Sequence, residues 1–240
     1  MYDILLKNAN IYDGSGKPAY RSDILIKDGV IVKIGNVDND EWVLHKIDVS
    51  GLVVSPGFID PHAHYDNTVQ HDKQITAPLC QGVTTVITTA CGLGTVPARP
   101  EDLPKIHRIN SGMVDYHTDF EYKATNIDEF LRYADKAAIN VATNVGHLPL
   151  RIFAGGWGTP TFETIAGRMK EALRENLEMG AVGFSIGLDY YPTIPSVVST
   201  EELTELAAVT KSCGAVFVTH VRPVNKGHEE VCSIAKKLGV

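Results

Sequence analysis

Residues 54–64 read VSPGFIDPHAH, a short apolar run that ends in two histidines separated by one residue. Side chains alternate along an extended strand, so His62 and His64 are expected to point to the same side, where both imidazoles can reach one metal ion. The pair lies at the carboxyl end of the predicted strand, and that end carries the active site in βα barrels. The stretch therefore predicts a metal site on an α/β protein.

Downstream of this stretch, β-branched apolar runs alternate with segments of helical character. The strand-like runs cover 83–88, 139–145, 181–186 and 215–219, and the helix-like segments cover 126–137, 161–179, 200–212 and 226–238. Asn126, Thr161 and Ser199 are placed to cap three of these helices. Together with the run at 52–59, the pattern predicts five βα units around a parallel sheet. Because a barrel closes with eight strands, we expect a (β/α)8 barrel truncated after about five, with an open five-stranded sheet as the alternative.

Residues 1–51 follow a different pattern, in which short alternating strands are separated by turn residues. The sequence Lys27-Asp28-Gly29 between two such strands is typical of a tight hairpin. This part of the chain predicts a small antiparallel sheet. The change of pattern after Gly51 predicts two domains, residues 1–51 and residues 52–240.

Two further candidate metal ligands stand at predicted strand ends. Cys91 follows the run at 83–88, and His220 ends the run at 215–219. Ligands from three strand ends would converge at one barrel mouth and leave an open position for water, as a catalytic zinc site requires. Read alone, Cys91 fits a small buried residue beside a glycine turn better than it fits a metal ligand. His147 also follows a strand, and a ligand, a supporting donor or a loop histidine are all consistent with its position.

Composition and charge narrow the class of protein. The chain has 240 residues, of which 44% are hydrophobic, and a net charge of −7, which disfavours nucleic acid or an anionic membrane as partner. No apolar run approaches the roughly 20 residues of a membrane helix, and the first residues lack a signal-peptide pattern. The cysteines lack the spacing of a disulfide framework, which favours reduced thiols in a cytoplasmic protein. We expect three of them to be packing residues: Cys80, Cys213 and Cys232.

These motifs together resemble the amidohydrolase superfamily, and more closely its N-acyl-D-amino-acid deacylase (D-aminoacylase) branch. The stretch 54–64 is similar to the metal motif of the superfamily's first barrel strand, and residues 3–34 to the first part of its accessory β-sandwich. The branch is marked by ACG at 90–92, although the family more often has Asn before the cysteine. GAVGFSIGLDY at 180–190 and THVR at 219–222 are similar to its fourth and fifth strands.

The resemblance implies zinc-dependent hydrolysis of the amide bond of N-acyl (D-) amino acids. It implies one tight zinc held by Cys91 and His220, with a second, weaker metal position at His62 and His64. The absence of a lysine from the fourth strand fits the cysteine-using branch. Tyr190 is the candidate contact for the substrate carboxylate. The catalytic aspartate and a further histidine are expected beyond residue 240, so no catalytic residue is expected within this chain, and the chain alone is expected to be inactive.

Two other interpretations stay open. The chain could be a cyclic amidohydrolase similar to hydantoinase or dihydroorotase, which Cys91 and the missing lysine argue against. It could also be a non-catalytic fragment that needs a second chain. Because a half barrel exposes its sheet edges, a homo-oligomer is a further expectation.

Overall fold

A computed structural model describes residues 1–38, 42–112, 114, 119–189, 193–194, 196–222 and 227–239. The chain divides into two compact units, Met1–Gly57 and Phe58–Val240. The division falls later than the boundary expected after Gly51. The reason is that the residues between carry a short strand, Val53–Val54, which pairs with the first strand of the chain.

The first unit is a five-stranded sheet. Its strands are β1 (Tyr2–Ile11), β2 (Tyr20–Lys27), β3 (Val30–Gly35), β4 (Val43–Asp48) and β5 (Val53–Val54). The order is β3-β2-β1-β4, with β5 also paired to β1. Among the described strands only the β1–β2 and β2–β3 pairs are antiparallel, whereas β4 and β5 run parallel to β1. The antiparallel prediction for residues 1–51 is therefore wrong for β4. Alternation of side chains predicts that a segment is extended, but the direction of pairing is set by the connections.

The predicted hairpin between β2 and β3 is confirmed. Asp28 and Gly29 both have positive φ, 51° and 74°. Two consecutive left-handed residues are what the preferred two-residue hairpin turn requires, because its twist matches that of the flanking strands.

The second unit contains the five predicted parallel strands. They are β6 (Phe58–Asp60), β7 (Val83–Thr88), β8 (Asn140–Gly146), β9 (Gly183–Gly187) and β10 (Val216–His220). Each strand lies beside its predecessor in the chain, in the order β10-β9-β8-β7-β6. Sequential parallel neighbours joined by helices are the arrangement of a βα barrel, whereas a doubly wound sheet reverses its strand order. The α/β prediction, with the first five strands of a barrel, is confirmed.

Helices connect these strands. The structure has α1 (Thr68–His71), α2 (Thr76–Leu79), a 3-10 turn (Pro100–Asp102), α3 (Leu103–Asn110), α4 (Ile127–Ala134), α5 (His147–Gly155), α6 (Phe162–Glu178), α7 (Thr200–Ser212) and α8 (Gly227–Leu238). Asn126 and Ser199 cap α4 and α7 as predicted, since their side chains accept hydrogen bonds from the amides of Glu129 and Glu202. Thr161 occupies the cap position of α6 without a side-chain cap hydrogen bond.

The core of the second unit lies between the sheet and the helices. Val86, Val145 and Phe184 from the strands are fully buried, as are Leu173 and Leu206 from α6 and α7. Burial of such side chains contributes roughly 1.5–3 kcal/mol each. The packing of this core fixes the positions of the strands, and with them the positions of the residues at the strand ends.

The cysteines other than Cys91 contradict the packing prediction. Cys80, Cys213 and Cys232 are exposed, and only Cys91 is buried. All three lie at or near helix ends or on an outer helix face, positions that point to solvent and contribute little to the core. No helix within the described residues combines the length and apolar character needed to cross a membrane.

Candidate metal centre

His62 and His64 follow the end of β6. The strand ends at Asp60, so the two histidines lie in the segment after it rather than on the strand itself, which corrects the expected placement. The segment still runs beside β7, because the amide of Ala63 donates to the carbonyl of Ile87 at 3.1 Å. The two imidazole rings therefore lie close together, with their centroids 5.5 Å apart.

Cys91 joins the two histidines from the turn after β7. Its Sγ lies 3.3 Å from Nε2 of His62. One donor atom from each of His62, His64 and Cys91 lies within 4.8 Å of the others, and the described residues contain no second group of this kind. The structure thus brings together three of the four predicted metal ligands.

In the absence of a metal ion, the surroundings of this cluster favour the neutral forms of the His64 imidazole and the Cys91 thiol. Burial and the nearby His62 lower the pKa of His64, and burial raises the pKa of the Cys91 thiol. Nδ1 of His64 is buried without a hydrogen-bond partner among the described residues. A buried imidazole nitrogen without a partner, beside a thiol and a second imidazole, fits a zinc ion, which takes nitrogen and sulfur donors.

The fourth predicted ligand, His220, lies outside this group. It stands at the end of β10 as predicted, but its Nε2 contacts Oδ2 of Asp189 at 3.2 Å. Asp189 follows β9 and was not singled out as a functional residue from the sequence. Its position three residues past the predicted strand end at residue 186 was the signal that the sequence offered. Tyr190, the candidate substrate contact, lies outside the described residues.

His147 is not a member of the cluster either. It begins α5 and is completely buried, with Nε2 2.8 Å from Oε1 of Glu202 on α7. Nη2 of Arg151 lies 3.6 Å from the other carboxylate oxygen of Glu202 and donates to the carbonyl of Pro160 at 2.8 Å. Glu202 was missed because a glutamate in the first turn of a helix normally faces solvent. These buried groups hold α5 against α7.

A polar network lies under the Cys91 turn. Oγ1 of Thr89 donates to Oδ1 of Asp66 at 2.5 Å and lies 3.0 Å from Oγ1 of Thr143. Burial raises the pKa of Asp66 to about 6. Asn67, the next residue, bonds to His107 at 2.7 Å. Asp66 and Asn67 are therefore buried partners of neighbouring elements rather than exposed turn residues.

A cavity of about 480 Å³ lies elsewhere, around the end of α4. None of its lining residues is a candidate metal ligand. They are Lys73, Lys123, Glu129, Arg132, Tyr133 and Lys136. The candidate site is accordingly defined by the convergence of donor atoms rather than by this cavity.

Comparisons with known proteins identify the family of this chain. A family model described as "Amidohydrolase family" matches residues 46–236. D-aminoacylase of Alcaligenes xylosoxydans xylosoxydans is 34% identical over the whole of this chain, which covers 49% of that protein. N-acyl-D-glutamate deacylase from Bordetella bronchiseptica, solved with zinc and a phosphonate inhibitor, superposes with a TM-score of 0.83 at 31% identity. That comparison covers 99% of this chain and 50% of the other.

A solved D-aminoacylase with a binuclear metal centre gives a TM-score of 0.81 at 29% identity, covering 100% of this chain and 50% of the other. The chain thus spans about half the length of the relatives it matches.

Proposed function

The chain belongs to the amidohydrolase family, in its D-aminoacylase branch, and on that premise we propose that it serves the zinc-dependent hydrolysis of the amide bond of N-acyl-D-amino acids. The observation that carries the proposal is the convergence of His62, His64 and Cys91 just past the carboxyl ends of β6 and β7. D-aminoacylase, 34% identical, and N-acyl-D-glutamate deacylase, 31% identical, match nearly the whole chain and act on this substrate class by name, and the latter was solved with zinc.

The protein groups proposed to hold zinc are Cys91 and His220 for the tight position, with His62 and His64 for a second, weaker one. The 3.3 Å separation of the Cys91 and His62 donor atoms supports a site at which one side chain can serve both positions. When bound, zinc supplies Lewis acidity, which polarises a scissile carbonyl and acidifies water. His220 is proposed as a ligand because it lies at the carboxyl end of β10, as the other candidates lie at the carboxyl ends of β6 and β7. In this structure its Nε2 contacts Asp189.

The substrate is proposed to be a small N-acyl amino acid, with Tyr190 as the contact for its carboxylate. Because the relatives are about twice as long, we propose that the catalytic aspartate comes from a part of the protein outside residues 1–240. A cytoplasmic location is proposed on cysteine usage and on the absence of a disulfide among the described cysteines.

Zinc content is the first test. We expect about one tightly bound zinc per molecule of the full-length protein, and we expect Cys91→Ala and His220→Ala each to remove it, because loss of one of few ligands opens the site. Cys213→Ala removes an exposed thiol and is the matched control, which should keep its zinc. A zinc-free wild-type protein, or variants that retain the metal, would contradict the assignment.

Substrate class is the second measurement. N-acetyl-D-amino acids, their L enantiomers and hydantoins are supplied to the zinc-loaded full-length protein, which would include the proposed catalytic aspartate, and release of the free amino acid or ring-opened product is followed. Cleavage of the D-amides alone supports the proposal. Cleavage of hydantoins with inert linear amides would replace it with the cyclic amidohydrolase interpretation.

A further inference from the structure

The turn that carries Cys91 has an unfavourable backbone. The amide of Leu93 donates to the carbonyl of Ala90 at 3.1 Å, and the two residues between them, Cys91 and Gly92, have φ of 55° and 69°. Thr89, just before the turn, also has positive φ, at 59°. Glycine accepts this conformation readily, but cysteine and threonine rarely do. Such a turn persists only when its surroundings hold it in place.

One buried hydroxyl bridges this turn. Oγ of Ser185, on β9, accepts a hydrogen bond from the amide of Gly92 at 2.9 Å and donates one to the carbonyl of Thr89 at 2.5 Å. The first contact lies just after Cys91 and the second lies two residues before it. Asn144 approaches the Thr89 carbonyl at 3.5 Å, but the Gly92 amide has Ser185 as its described partner.

The turn lies directly on the sheet. A Cβ on Gly92 would come within 2.2 Å of the amide nitrogen of Gly187, so only glycine allows this approach to β9. A Cβ on Gly146 of β8 would come within 3.1 Å of the Gly92 carbonyl oxygen. Ser185 pairs with Gly146 in the sheet register and is itself fully buried. Its hydroxyl thus reaches the turn from a fixed position on a rigid strand.

We propose that Ser185 is a positioning residue for the metal site, which fixes the Cys91 turn so that the thiol faces His62 and His64. The proposal rests on the proposed zinc function for its chemical purpose. Ser185 does not touch the cluster itself, and its effect passes through the backbone on both sides of Cys91. A partner that orients a ligand in this way typically affects metal affinity by about 10- to 100-fold.

The test compares Ser185→Ala with Thr210→Val. Oγ1 of Thr210 is buried in α7 and donates to the carbonyl of Leu206 at 2.9 Å, far along the chain from the cluster, so the control also removes a buried hydroxyl. Urea unfolding of both variants establishes that each one folds. Any effect confined to Ser185→Ala then belongs to the turn and not to a general loss of stability.

The first readout needs no metal. Alkylation of Cys91 by iodoacetamide is followed by peptide mass mapping in the metal-free protein, with the exposed Cys80, Cys213 and Cys232 as internal standards. We expect Ser185→Ala to speed the modification of Cys91 by about tenfold, because a lost hydrogen bond to a buried group shifts local opening by roughly that factor. Thr210→Val should leave the rate unchanged. An unchanged rate in Ser185→Ala overturns the proposal.

The second readout is metal binding. Zinc affinity is measured by competition with a chelator, and the thiolate-to-metal charge-transfer absorption is measured with Co²⁺ in place of zinc. We expect Ser185→Ala to bind zinc about 10- to 100-fold more weakly and to lose part of the cobalt–thiolate band. If wild-type and Ser185→Ala protein bind zinc equally, the proposal is overturned. If the wild type binds no metal while Cys91 alkylation still depends on Ser185, the zinc function fails and the positioning of the turn stands.

Discussion

Cys91 illustrates how a residue's role depends on its neighbours in space. A buried cysteine is usually a small apolar packing residue, and burial by itself raises the pKa of its thiol. Here Sγ lies 3.3 Å from an imidazole nitrogen, in a backbone conformation that cysteine rarely adopts. A packing cysteine requires neither the close imidazole nor the unfavourable backbone conformation. Both are consistent with a thiol held in place to bind a metal ion.

His107 makes the stability of the protein depend on pH. Burial lowers its pKa to about 4, and its ring is stacked on Tyr122 with Nδ1 against Asn67. The unfolded chain takes up this proton near pH 6.5, whereas the folded protein resists it until about pH 4. Stability from this group is therefore complete above pH 6.5 and falls as the pH is lowered towards 4, by at most about 3 kcal/mol.

The measurement is the free energy of unfolding in urea between pH 7 and pH 4. We expect His107→Gln to reduce the slope of stability against pH in this window, since the titrating group is gone. His228→Gln removes an exposed histidine on α8 and should leave the slope unchanged. Equal slopes in wild type and His107→Gln would show that other groups control the acid transition.

Helices α5 and α7 are joined by ionisable side chains that have almost no access to water. His147, Arg151 and Glu202 are all at most 1% exposed. The amide of Glu202 binds the cap residue Ser199, while its carboxylate contacts His147 and Arg151 instead of reaching back to the cap. The same residue thus takes part in starting α7 and in fixing it to α5. Because the amide of Leu148 in α5 donates to the carbonyl of Gly92, this pairing also supports the turn that carries Cys91.

Loss of Glu202 should accordingly be costly. We expect Glu202→Ala to lower the free energy of unfolding by about 3–5 kcal/mol, because it leaves the Arg151 charge buried without compensation. Glu205→Ala, three residues along the same helix, breaks a half-exposed pair with Lys170 and should cost no more than about 1 kcal/mol. Urea unfolding monitored by circular dichroism measures both. Similar losses in the two variants would mean that the buried groups are stabilised in some other way.

The edges of the parallel sheet matter to the molecule as a whole. Its two edge strands, β6 and β10, present apolar side chains: Phe58 is 61% exposed, Ile59 64% and Val216 62%. Unpaired strand edges with exposed apolar residues favour pairing with another chain. This feature supports the expectation of self-association.

We expect the purified chain to associate as its concentration rises, and Ile59→Lys to suppress this association, because a lysine on a strand edge opposes pairing. Sedimentation velocity across a concentration series measures the effect. Ile109→Lys changes an exposed isoleucine at the end of α3 and should leave association unaltered. A chain that stays monomeric at every concentration would exclude the edges as an interface.

Sequence reasoning found the second unit well. The prediction included all five parallel strands and the helices α4, α6, α7 and α8. Hydrophobic periodicity and capping residues depend on neighbours in the sequence, so they can be recognised without a structure. It missed the short helices α1, α2 and α3, and it also missed α5, which begins immediately after β8 at His147. A helix that is buried on nearly every side shows little polar–apolar periodicity, so the pattern that identifies surface helices is absent.

The βα order, and the positions of His62, His64, Cys91 and His220 at strand ends, follow from local patterns and could be predicted without a structure. Only the tertiary structure decided that three of these side chains converge and that His220 contacts Asp189. It also decided that Ser185 bridges the Cys91 turn, 93 positions from Gly92 along the chain. The physical reason is that hydrogen bonds and ligand geometry depend on distances within a few ångströms, which strand register and packing set across distant parts of the chain.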